Sequence, residues 1–115
     1  MHVTSVANTE FVKTGHGNSV WVLLPEAIGV PNFVLRYFEV PPRGATGYGA
    51  HDYEHEIFVV KGKGVLKGKT LDGQPFERII GPGDAAFIAP NEEHQFRNEG
   101  GEALGFVCVV PKGCE

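Results

Sequence analysis

The chain is poor in everything that builds helices, covalent staples or membrane anchors. Every stretch of fifteen residues contains a glycine or a proline, and both residues interrupt helices, so long helices are excluded. Only two cysteines occur, Cys108 and Cys114, too few for a disulfide framework. Cys108 falls in an apolar segment and is expected in the core, whereas Cys114 is nearly terminal and expected to be exposed. No apolar run approaches the ~20 residues of a membrane span. Met1 to Glu10 lacks the basic-then-apolar pattern of a secretory leader. A cytoplasmic protein that engages no membrane is the expectation. Basic residues are also scarce, 10 against 14 acidic ones, for a net charge of -4. That balance leaves no footprint for nucleic acid. The densest basic group, Lys61, Lys63, Lys67 and Lys69, alternates with glycine and valine and reads as an edge hairpin guarded by lysines.

What is abundant is turn chemistry. The 115 residues include 16 glycines and 8 prolines, yet 42% are hydrophobic, too many for a disordered chain. The length suits one domain, 1–115, with an accessible surface of about 6,200 Å² when folded. Short runs rich in β-branched and aromatic residues predict strands at Val20–Leu24, Phe33–Val40, Glu56–Lys61, Val65–Lys67, Phe76–Ile80, Ala85–Ala89, His94–Arg97 and Leu104–Val110. Asp72-Gly73 predicts a two-residue hairpin turn between Val65–Leu71 and Phe76–Ile80. Turn signals recurring about every ten residues indicate an all-β sandwich or barrel of short antiparallel strands.

Five histidines stand out by placement. His2 and His16 lie in polar or glycine-rich surroundings and read as solvated. His51, Tyr53 and His55 share a parity with the apolar Ile57 and Val59, while Glu54 and Glu56 take the opposite one. His94 shares its parity with Phe96. Three imidazoles directed inward need partners, because a buried polar ring without one is costly. Coordination of a metal is one answer, and hydrogen bonding within the core is the other. Arg36 lies on the apolar face of Val34 and Phe38, where it would meet an anionic substrate inside the barrel or lie on its rim. Tyr53 would either hydrogen-bond a ligand or simply pack.

Two runs resemble the cupin motifs. His51, three residues, His55, six residues and Gly62 is similar to the second half of the first motif, a His-x-His pair followed by Glu and Gly. Gly83-Asp84, Pro90, His94 and Asn98 resemble the second motif, although Pro90 falls one place late and Glu92 stands where a glycine is usual. The resemblance spans Phe33 to Pro111. It implies a double-stranded β-helix, or jelly roll, with a barrel over 33–111 and an N-terminal strand region over 1–30. Two departures matter. His55 replaces the motif glutamate, as in small single-domain cupins whose site is all imidazole, and the leading histidine of the pair falls at Gly49, which cannot ligate.

What the resemblance implies is a set of His51, His55 and His94 around one divalent transition metal, Fe, Mn, Zn, Ni or Cu. Gly49, Tyr53 and Arg36 would then face a small-molecule substrate. Three neutral ligands favour a chelating enolisable, phenolic or carboxylate compound. With Fe(II), dioxygenase-like chemistry is the leading expectation; with Zn, Ni or Mn, the site suits Lewis-acid isomerase or lyase work. A non-catalytic module that binds metal or a small ligand is the alternative. Cupins of this size commonly pair through N-terminal strands, which implies a homodimer.

Overall fold

The computed structural model describes all of residues 1–115. It contains nine strands, two short 3-10 turns and no α-helix: β1 Val12–Lys13, β2 Ser19–Leu24, β3 Phe33–Val40, β4 His55–Lys61, β5 Gly64–Lys69, β6 Pro75–Ile80, β7 Ala85–Ile88, β8 Glu93–Arg97 and β9 Leu104–Pro111. All pairings are antiparallel. One sheet has the order β1-β2-β3-β9-β4-β7 and the other β6-β5-β8. Together they form the cupin-type jelly roll. No helix is long and apolar enough to cross a membrane.

Alternation in the sequence decides which faces meet. Along β4, His55, Ile57 and Val59 are buried, whereas Glu56, Phe58 and Val60 are exposed. On β9 the same rule buries Leu104, Phe106, Cys108 and Val110. Val34 and Val40 from β3, Leu66 from β5, Ile80 from β6, Ile88 from β7 and Phe96 from β8 complete the core between the sheets. Phe106 stacks on Phe96 at 4.6 Å and on Phe38 at 5.2 Å, so aromatic rings bridge the two sheets.

Each of the eight expected strands is found, and three local expectations change. The lysines do not guard an edge: β5, which carries Lys67 and Lys69, is the central strand of its sheet. They occupy the solvated face, which an antiparallel sheet keeps polar even at its centre. The hairpin loop is three residues, Leu71 to Gly73, closed by Thr70 N–H donating to the Gln74 carbonyl at 2.9 Å, with Gly73 at φ +84°. Cys114 is half-buried against the core rather than exposed.

Two glycines fix how closely strands approach. Gly62 has φ +80°, and a Cβ there would run into the Ala103 carbonyl, which explains why the first motif must end in glycine. Gly68 faces His94 across β5 and β8, and a Cβ on it would overlap the Glu93 carbonyl. Gly68→Ala should therefore push β8 outward and cost on the order of 2 kcal/mol, lowering Tm by roughly 10 °C. Gly101→Ala, which meets nothing within 4 Å, should stay within about 0.5 kcal/mol of the parent in the same thermal melts.

Candidate metal centre

His51, His55 and His94 come from three separate segments. His55 opens β4, opposite Ile88 on β7, and is 5% exposed. His94 lies in β8 between two glycines, paired with Gly68 on one side and bridged to Gly49 on the other. The Gly49 bridge is a doubly bonded pair, with His94 N–H to the Gly49 carbonyl at 2.9 Å and Gly49 N–H to the His94 carbonyl at 3.2 Å. His51 lies outside any strand and is exposed, so the parity that buries His55 does not carry His51 into the core as expected. Its carbonyl accepts from Asn91 N–H at 2.6 Å, which ties its loop to the turn that leads into β8.

One nitrogen from each ring lies within 4.8 Å of the other two. His55 Nε2 and His51 Nδ1 are 3.1 Å apart. His94 Nδ1 is 2.9 Å from the Glu92 carbonyl, an acceptor only, so Nδ1 carries the proton and Nε2 keeps its lone pair for the cluster. Glu92 thus has a use at the place where the motif has glycine: its side chain also accepts from Ala89 N–H at 2.8 Å and closes the turn. Burial first, and then the neighbouring imidazoles and Arg36, hold His55 down to about 3. Burial also lowers His51. Both rings are neutral at ordinary pH, the state in which imidazole ligates a metal. With neutral donors converging and no carboxylate among them, the cluster suits a borderline transition ion and not calcium or magnesium.

The cluster forms one wall of a cavity of about 330 Å³ lined also by Arg36, Phe38, Gly49, Tyr53, Phe96 and Cys108. Glu54 and Glu56 point outward and share a hydrogen bond that raises Glu56 to about 7. Tyr53 stacks on His51 at 5.0 Å, and burial keeps its phenol protonated. Gly49 lies on the cavity wall, and a Cβ added to it would meet nothing within 4 Å. Cys108, expected only as core, proves to be a wall residue too. Its Sγ lies 3.4 Å from His55 Nδ1 and accepts from Arg36 Nη2 at 3.1 Å, and burial keeps it a thiol. No local sequence signal marks it; only the register, which sets Cys108 opposite Arg36 and Ile57, brings it to the wall. A second hollow, of about 350 Å³ beside β5, β6 and β7, shares only His94 with the cluster.

Residues 36–110 match the cupin domain profile. The chain belongs to the cupin family. Its likeness extends to the polyketide cyclase RemF from Streptomyces resistomycificus, 31% identical, with a TM-score of 0.83 over 100% of this chain and 80% of that one. A cupin 2 conserved barrel domain protein from Rhodopseudomonas palustris is 30% identical, with a TM-score of 0.69 over 95% of this cupin and 68% of its own chain. The 1-methylthio-D-xylulose 5-phosphate methylsulfurylase of Rhodospirillum rubrum is 36% identical over 77 residues, 66% of this cupin, which spans only 46% of that relative's length.

Purified protein loaded with zinc or cobalt should hold about one ion per chain. His55→Ala and His94→Ala should each cut that below about a tenth in elemental analysis, since two imidazoles make a weak open site. His2→Ala, at an exposed histidine near the N-terminus, should change nothing.

Proposed function

We propose that the chain is a mononuclear metal-dependent enzyme, a single cupin domain in which His51, His55 and His94 hold one divalent transition metal. Three imidazole nitrogens converging within 4.8 Å, in a cavity that no carboxylate lines, carry this reading. When bound, the ion supplies Lewis acidity toward a carbonyl, enol or phenolic oxygen. The neutral imidazoles add no negative charge, so the pocket favours an oxygen donor that is anionic or becomes so on enolisation. Gly49 leaves open the space that a ligand side chain would occupy, which is the way in for a chelating compound. Tyr53 offers a protonated phenol at the wall. Phe38, Phe96 and Phe106 make part of the lining apolar.

Two of the relatives are named for carbonyl-bearing compounds, a polyketide and a xylulose derivative, which supports an enolisable substrate. Neither name denotes oxygen chemistry. Lewis-acid catalysis of the isomerase or lyase type therefore comes ahead of the dioxygenase expectation. A homodimer accompanies this reading. Phe58, Val60 and Phe87 all lie exposed on the outer face of β4 and β7, and such an apolar sheet face is commonly covered by a partner. Sedimentation should find a dimer that Phe58→Asp weakens; a monomer alone would remove this part of the account.

Cobalt-loaded protein tests the reading directly. Pentane-2,4-dione or catechol should shift its visible bands and saturate at one per chain. Gly49→His should retain cobalt and weaken that response at least tenfold. Bands unmoved by either compound would leave a non-catalytic module, and oxygen uptake with Fe(II) and the same compounds would restore the dioxygenase.

A further inference from the structure

Arg36 brings the only guanidinium or ammonium charge to the wall of the metal-centre cavity, and no Asp or Glu lines that cavity to balance it. It forms no ion pair with any carboxylate. Its side chain projects from β3 between the inward-facing Val34 and Phe38 and is half-buried. Nη2 donates only to the Cys108 sulfur, a weak acceptor, at 3.1 Å. Nε is fully buried and has no partner. The guanidinium carbon lies 4.9 Å from the centre of the Phe38 ring, which holds the fork in place but cancels none of its charge. Its field reaches the neighbouring groups, lowering His51 and His55 and opposing the rise of Tyr53.

A desolvated cation without a counter-ion is costly, and an aliphatic side chain would fill the same place without that cost. The missing partner is an anion that arrives from outside.

We infer that Arg36 binds a carboxylate of the substrate, so that the compound is an anionic, flat oxygen chelator held by Arg36 at one end and by the histidine-bound metal at the other. The outer, Nη1–Nη2 edge of the planar fork matches a carboxylate through two parallel hydrogen bonds, the second displacing the weak one to Cys108. Phe38, Tyr53, Phe96 and Phe106 supply walls for a planar body. For the second anchor we build on the metal-centre reading; the anion site itself stands on Arg36 alone.

Benzoate and benzamide, equal in shape and different in charge, are the probes, titrated by calorimetry into the purified protein with metal content measured on the same sample. Benzoate should bind at least tenfold more tightly than benzamide. Arg36→Gln should remove that preference, and Arg36→Lys, which keeps the charge and loses the fork, should fall between. Metal content should be the same in all three proteins. If the glutamine variant fails to fold, the benzoate-to-benzamide ratio of the parent and the lysine variant decides. Equal binding of the two probes, a preference that survives Arg36→Gln, or inorganic phosphate binding more tightly than benzoate would overturn the carboxylate assignment. A protein that lacks metal yet discriminates benzoate through Arg36 keeps the anion site and loses the metal centre; a protein with metal that does not discriminate loses the anion site alone.

Discussion

The backbone of His94 lies between two glycines, and that close approach is what the site depends on. Gly68 on β5 lets β8 settle against its sheet, and Gly49 pairs with His94 from the other side. A side chain at Gly68 would collide with the backbone of Glu93. With β8 set this deeply, the imidazole of His94 reaches the level of His55 at the mouth of β4. The Glu92 carbonyl then fixes which nitrogen His94 presents. Asn91, with φ +71°, turns the chain so that its N–H holds the His51 carbonyl. One turn before β8 thus places two of the three rings, and asparagine is among the few residues that adopt such a conformation readily.

Electrostatics follow from that geometry. His51 and His55 resist protonation, because desolvation and the charge of their neighbours both penalise the charged form. The lone pairs remain available for a cation. Arg36 adds a fixed positive charge nearby, and the acidic pair Glu54 and Glu56 is turned to the outside. The cavity is therefore short of negative charge. An anionic ligand would meet no like charge on the lining, to which Phe38, Phe96 and Phe106 add apolar surface.

Much of this was legible in the sequence, because alternation in short strands is a local property. The shared parity of His55, Ile57 and Val59 placed one ring inside, and the parity of His94 with Phe96 placed another. Long-range pairing was not legible. Nothing local says that Gly68 meets His94, that Asn91 holds the loop of His51, or that Cys108 lies against both Arg36 and His55. The lysines of β5 were misplaced for a similar reason: charge marks a solvated face, and a strand can carry such a face while lying at the centre of its sheet. β1 went unseen because Val12–Lys13 is too short to show a period. Gly73 enlarged the hairpin loop by one residue, since its positive φ closes a three-residue turn that the Asp-Gly pair alone does not reveal.

The central claim is that three imidazoles, and nothing softer or harder from the protein, hold one ion. X-ray absorption at the zinc edge of the loaded protein addresses it most directly. The account predicts about three imidazole nitrogens at ~2.0–2.1 Å, with any further scatterer a light oxygen atom. A sulfur scatterer at ~2.3 Å would put Cys108 on the metal and contradict the account, as would a spectrum without imidazole scattering.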